Sequence, residues 1–198
     1  MRLTGLLSTS LLSTLLACSN SSDSSVTMSD AQTPPITGRV DMQKWLADAS
    51  YKTWACEPTI HALRAPSPHG ANATGYNKIC SNDLIASNAT GTGAWPKGAA
   101  AVKEIYDSPT ATTPISFAVY LKTTSGSDGG AGWYWYEQVP VSTDPNMIPH
   151  DGNGVVADGT GGAGPAKTIC VGCHVAAGSD AAHTPSPGGR DQVYTPVH

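Results

Sequence analysis

Apolar positions along the chain follow two different periods. Between Asp41 and Lys52 they stand at Met42, Trp45, Leu46 and Ala49, the three-to-four spacing of one helix face, with Asp41 placed to cap it. One amphipathic helix is therefore expected to open the folded region. Four later runs are strand-like: Tyr76 to Cys80, Ala99 to Asp107, Ile115 to Lys122 and Trp133 to Val139. The last three are rich in Val, Ile, Tyr or Trp and are bounded by Gly, Pro or Ser, and their short connections predict an antiparallel meander. Strand alternation then sends Trp133 and Trp135 to one face and Tyr134 and Tyr136 to the other, and separates Lys103 from Glu104 in the same way. Residues 55 to 75 read as loop, Asn82 to Ser87 as a single helical turn capped by Asn82, and 140 to 165 as a Pro- and Gly-rich excursion. A short helix is expected to begin at Thr168 and run to Ala177. The expected class is α+β, mainly antiparallel sheet with one helix at the N-terminal end and a short one near the C-terminus.

Composition narrows the functional classes. The chain has 198 residues, 13% charged and 39% apolar, which is one domain's worth and neither coiled coil nor charge-driven disorder. A formal net charge of −4 argues against a nucleic-acid partner. The 21 Gly and 15 Pro predict short strands and many turns. Aromatics comprise 5 Trp, 7 Tyr and a single Phe, a bias that suits a sheet whose inner face surrounds something bulky or partly polar.

The first residues look like an export signal. Arg2 gives the positive start, and Leu6 to Leu16 form an apolar run too short to span a bilayer. The run ends Leu15-Leu16-Ala17-Cys18, which resembles the lipobox of bacterial lipoproteins, in which Cys18 would be lipidated and become residue one. An ordinary cleaved signal is the alternative. The expected organisation is a signal at 1–17, a lipidated Cys and tether at 18–37 rich in Ser, Asp, Thr and Pro, and one domain at 38–198. Ser19 rather than Asp follows Cys18, which by resemblance to Gram-negative lipoproteins favours the periplasmic side of the outer membrane over a soluble periplasmic protein. The membrane would then be met through the lipid alone.

Five cysteines leave a simple partition. With Cys18 lipidated and Cys170 and Cys173 serving a purpose of their own, Cys56 and Cys80 remain, and in an oxidising periplasm they are expected to form one disulfide. Such a staple contributes about 3 to 4 kcal/mol in the chain-entropy picture. A metal site with His61 or His69 would need both thiols reduced.

Cys170-Val171-Gly172-Cys173-His174 is the c-type haem attachment pattern. Sulfurs at i and i+3 lie on one side of a helical turn and can bond to the two vinyl groups, and the following His falls under the iron as proximal ligand. A redox dithiol or half a zinc site are the other readings, disfavoured in an exported chain with no second Cys pair of that spacing. No Met follows Cys173, which excludes the arrangement of the small helical electron carriers. Met147, His150 and His183 are the loop residues that could reach the iron from elsewhere. The expected state is five-coordinate iron with an open face, suited to binding or activating a small molecule.

Three blocks in order resemble the cytochrome P-460 and cytochrome c-prime-beta family of small β-sheet haem proteins. They are Trp95-Pro96-Lys97-Gly98 leading into Val102-Lys103-Glu104-Ile105, then Gly132-Trp133-Tyr134-Trp135-Tyr136, then Cys170 to His174 with Asp191-Gln192-Val193-Tyr194-Thr195 behind it. The resemblance covers roughly residues 95 to 198, and of these blocks the haem motif alone is individually specific. It implies one covalently bound haem c on a helix, with Lys103 at the position where the P-460 branch bonds a lysine to the haem edge and oxidises hydroxylamine. Burial against the macrocycle would favour the neutral amine such a bond needs. The resemblance also implies a homodimer packed sheet against sheet.

Two departures weaken the enzymatic half. The Cys56 and Cys80 pair is foreign to the pattern, and the acidic residue that handles protons in the family's enzymes has no clear match, the segment after the Trp-Tyr strand offering Asp144, Asp151 and Asp158 but no Glu. The glycine-rich run from Asp151 to Gly164 lacks the Lys of a phosphate loop and the ligand spacing of a calcium loop, and reads as flexible cover over the haem. Three functions stand: oxidation of a small nitrogen compound with electrons passed to a periplasmic acceptor, binding of nitric oxide or a similar gas without turnover, and electron carriage with Met147 or His150 as sixth ligand.

Overall fold

The computed structural model of the chain describes residues 32–63, 75–126, 128–139, 154–178 and 189–194. The signal, Cys18, Met147, His150, His183, His69, Asp144 and Asp151 lie outside the described residues.

A seven-stranded antiparallel sheet forms the body. Its strands are β1 (Ala55–Cys56), β2 (His61–Ala62), β3 (Tyr76–Ser81), β4 (Ala100–Tyr106), β5 (Ser116–Lys122), β6 (Trp133–Gln138) and β7 (Val155–Thr160). They lie in the order β1-β3-β4-β5-β6-β7, with β2 also pairing β3. Two parts of the expectation change. Residues 55 to 75, read as loop, contain β1 and β2, two-residue strands that exist because β3 offers them partners: Ala55 opposite Ser81, His61 opposite Asn77. The glycine-rich excursion contains β7, held along β6 from Tyr134 opposite Thr160 to Gln138 opposite Val155. Elsewhere the predicted strands stand within a residue or two, and a small hairpin of β8 (Gly189–Arg190) and β9 (Val193–Tyr194) is added at the C-terminal end.

The sheet buries both faces, so its middle strands read as nearly continuous apolar runs rather than alternating ones. The first face carries Ala100, Val102, Val119, Leu121, Tyr134 and Tyr136 and is covered by α1 (Arg39–Asp48), which presents Met42, Trp45 and Leu46. The helix starts two residues before the expected cap. Gly38 occupies the N-cap, and Asp41 sits in the first turn, where a carboxylate favours the helix N-terminus. The helix also ends early, because Ala49 turns left-handed (φ 53°) and its N–H bonds Leu46 O. That bend launches a 3-10 turn, Ser50–Thr53, and seats Tyr51 and Trp54 against Trp45 at ring separations of 5.7 and 5.9 Å.

One charged group is buried within this apolar face. Glu104 of β4 is buried and accepts from Tyr51 Oη at 2.6 Å and Tyr106 Oη at 2.7 Å, with Lys52 Nζ 3.4 Å away. Two donors and a cation compensate its desolvation. Cys56 and Cys80 are disulfide-bonded across directly opposed positions of β1 and β3, so neither is a thiolate for a metal. His61 instead meets the Glu57 carboxylate at 2.9 Å.

Burial, then the bond to Glu104, pushes both Tyr51 and Tyr106 well above the ordinary phenol pKa. Unfolding frees these phenols to ionise near pH 10, so the stability they contribute is present below that pH and lost as pH rises above it. Tyr51→Phe removes the hydrogen-bond donor nearest the buried Glu104 carboxylate and is expected to lower stability by about 1 to 3 kcal/mol at neutral pH. It should also flatten the decline above pH 10, read from urea titrations at pH 7, 9 and 11.

Candidate functional site

The second face carries the chemistry. Trp133, Trp135 and Glu137 of β6 project there, as do Lys103 of β4 and Tyr120 of β5, while the tyrosines of β6 and Glu104 point the other way. Against this face lies the helical segment that holds the Cys-Val-Gly-Cys-His motif. It is built of a π turn (Ala166–Val171), an α turn (Gly172–His174) and a 3-10 turn (Val175–Ala177), and so begins two residues before the predicted start. Its Ala166, Cys170 and Val171 pack with Trp95, Trp133, Trp135 and Val193.

Close approach of the segment depends on two glycines. At Gly161 a Cβ would stand 2.6 Å from Val171 Cγ2 and 2.8 Å from Trp135 Nε1, and at Gly130, where φ is +98°, it would stand 2.8 Å from Val171 Cγ1. Any side chain at either place pushes the motif off the sheet.

His174 is half-buried and held from several sides. Its ring lies 4.7 Å from that of Trp135, 5.4 Å from Tyr194 and 6.0 Å from Tyr120. Its Nδ1 is 2.7 Å from Gln192 O. A backbone carbonyl only accepts, so Nδ1 carries the proton, and in the neutral imidazole the lone pair sits on Nε2. That is the tautomer a metal ligand requires, with the second nitrogen bonded as in most metal-bound histidines. Tyr194 Oη also donates to Cys173 O at 3.1 Å, tying β9 to the motif's own backbone.

The two thiols of the motif are not joined to each other. Cys170 is buried, and desolvation first, then the negative charge of Glu137, pushes its thiol well above the ordinary range. Cys173 is half-buried.

Lys103 stands opposite Ala118, Ala118 opposite Glu137, and Glu137 opposite Ala157, a single cross-strand row on the motif's face. Lys103, Ala118 and Tyr120 are half-exposed, so this part of the face is open beside the imidazole. Two free thiols one helical turn apart, an imidazole in the metal-binding tautomer and a partly uncovered sheet floor with alanine at its centre fit a c-type haem.

Glu137 is the residue the sequence reading passed over. It is 0% exposed and shares the phase of Trp133 and Trp135, so strand alternation alone places it on this face. Asp158, considered for proton handling, is exposed on the opposite face, where Tyr134 Oη donates to it. It lines a groove with Thr37, Arg39, Val155 and Pro165 at the start of α1, which contains none of the motif's residues.

The three separated sequence blocks meet at one place. Trp95 N–H donates to Asp191 Oδ2 at 3.2 Å, Trp95 Nε1 to Arg190 O at 3.0 Å, and Trp133 Nε1 to Asp191 Oδ1 at 3.4 Å. No protein-family model and no curated protein matches the chain.

In the apoprotein, burial and the raised pKa should make Cys170 the slower thiol. Iodoacetamide at pH 8, followed by mass spectrometry of tryptic peptides, is expected to label Cys173 first. Equal rates would mean that the motif segment is not seated on the sheet.

Proposed function

We propose that the chain is an exported mono-haem c-type cytochrome of the cytochrome P-460 and cytochrome c-prime-beta kind. In this reading it is anchored through Cys18 at the periplasmic side of the outer membrane, oxidises a small nitrogen compound such as hydroxylamine, and passes the electrons to a periplasmic acceptor. The observation that carries the reading is His174, its tautomer set by the Gln192 carbonyl, presented from a Cys-Val-Gly-Cys-His segment beside the row of Lys103, Ala118 and Glu137. No helix among the described residues is long and apolar enough to cross a membrane.

Haem, bonded through Cys170 and Cys173, supplies the one-electron redox chemistry and an iron position for the small molecule. The helical segment Ala166 to Ala177 is then the haem-bearing helix. His174 offers its Nε2 lone pair, and the carbonyl at Nδ1 raises its strength as a donor. Lys103, on the same face, would be the amine that bonds the macrocycle edge. Glu137 takes the part of the proton-handling acid, since a buried carboxylate on the same face can accept a proton from an N–H or O–H that loses electrons. The aromatic rings of Trp135 and Tyr120 fix the imidazole plane and exclude water from one side.

The test is the visible spectrum of the reduced protein, expressed with a haem-attachment system, beside Lys103→Ala and Glu137→Gln. A Soret band far to the red that returns to an ordinary c-type position in Lys103→Ala is the expected result. Hydroxylamine oxidation should then fall about 10² to 10⁴-fold in Glu137→Gln. An ordinary high-spin spectrum in both native and Lys103→Ala protein would replace oxidation with gas binding. An ordinary low-spin spectrum would leave an electron carrier, and no covalent haem at all would overturn the reading.

A further inference from the structure

Behind the proximal histidine lies an ion pair that water does not reach. Lys122 at the end of β5 and Asp191 at the tip of the β8–β9 hairpin are both 0% exposed, with Nζ 2.9 Å from Oδ2 and 3.2 Å from Oδ1. The same carboxylate accepts the Trp95 N–H and the Trp133 indole N–H, and the Lys122 ammonium lies 4.9 Å over the Trp133 ring.

The turn that carries Asp191 is costly. Asp191 (φ 43°) and Gln192 (φ 73°) are both left-handed, and neither is glycine. Two-residue turns of this kind usually put Gly second, because a side chain there crowds its own backbone. The hairpin is instead held from outside, by the ion pair, by Gln192 N–H donating to Gly178 O at 2.8 Å, and by Arg190. The Arg190 guanidinium stacks 3.8 Å from the Trp95 ring and donates to Asn88 O and Gly91 O. The product of this strained turn is the direction of one carbonyl, that of Gln192, aimed at His174 Nδ1.

We infer that Lys122 and Asp191 are positioning residues for the proximal ligand: the pair clamps the left-handed turn so that the Gln192 carbonyl holds His174 in its tautomer and sets its strength as a donor. This rests on the haem reading, and it goes beyond it by locating control of the iron's electronic state in two residues that do not touch His174. Loosening the clamp lets Gln192 relax toward right-handed backbone, which lengthens the bond at Nδ1 and weakens donation from Nε2.

The holoprotein is measured first, by the pyridine haemochrome of the native chain, and absence of covalent haem there overturns both the haem reading and the inference. With haem present, resonance Raman of the ferrous protein and redox titration are compared for the native chain, Asp191→Asn and Lys122→Met. The expected result is a lower iron–histidine stretching frequency and a more positive midpoint potential in both variants. The double variant Lys122→Met/Asp191→Asn removes the stranded charge, keeps a side chain that tolerates left-handed backbone, and should recover part of both shifts. It also serves if a single variant fails to accumulate. Cys56→Ala/Cys80→Ala is the control for stability alone, expected to lower the melting temperature and leave both readouts in place. Variants that melt earlier yet keep the native frequency and potential would make the pair a structural bolt only, and overturn the inference.

Discussion

The carboxylate of Asp191 is the point on which the motif-bearing side of the sheet turns. An isolated carboxylate withdrawn from water would cost several kcal/mol, and one that loses its partner from such a pair costs about 3 to 5 kcal/mol. Here the cost is offset by contacts from three distant parts of the chain: Lys122, the Trp95 backbone and the Trp133 indole. Each contact is local to one strand or loop. Together they bring the C-terminal hairpin, β5, β6 and the loop before β4 to a common centre. The Trp95 block, the Trp133 block and the Asp191 block, unrelated as strings of letters, are neighbours because they satisfy one charge.

The two faces of the sheet solve different problems with similar means. On the first, Glu104 is buried among Tyr51 and Tyr106, both neutral and both donating, so the charge is absorbed into a closed core. On the second, the buried carboxylate of Asp191 serves a hairpin whose backbone reaches His174, while Glu137 lies on the open row with Lys103. β4 supplies one residue to each arrangement in succession, Lys103 and Glu104, because consecutive strand residues face opposite ways. A one-residue slip of β4 would put the carboxylate toward the motif and the amine into the tyrosine clamp, so the fit of Glu104 between the phenols also fixes which face Lys103 occupies.

What could be read from the sequence was what is written locally. Strands β3 to β6 announce themselves by composition and alternation, and the Cys-Val-Gly-Cys-His motif by the spacing of three residues. The single turn at Asn82 was visible from its cap, whose side chain does accept the Ile85 N–H. What escaped depends on partners far away in the chain. β1 and β2 have no strand signal of their own and are strands only by pairing with β3. β7 hides its Val155-Val156-Ala157 run among glycines, which the eye assigns to loop. The helix start at Arg39 follows from Gly38 and not from the better capping side chain at Asp41. Glu137 is legible from the phase of its strand, which it shares with Trp133 and Trp135. Lys122 and Asp191 are 69 residues apart, and nothing near either predicts the other.

The proximal and open sides of the site are built to different standards of rigidity, and that difference bears on what the site can do. His174 is fixed by three aromatic rings, a carbonyl and a hairpin anchored by a buried ion pair, whereas Lys103 and Ala118 of the neighbouring row are only half covered. Rigid placement of the ligand sets the electronic state of whatever it holds, since a histidine free to rotate would exchange its Nδ1 partner for water and lose the added basicity. A partly open floor on the other side admits a small ligand without having to be unfolded first. A carrier of electrons needs the first property and not the second, because an open position adds reorganisation at each transfer. On the proposed haem reading, a site with both properties would suit holding a small molecule at the iron, and the choice between holding and oxidising it would fall to two side chains on one row, Lys103 and Glu137.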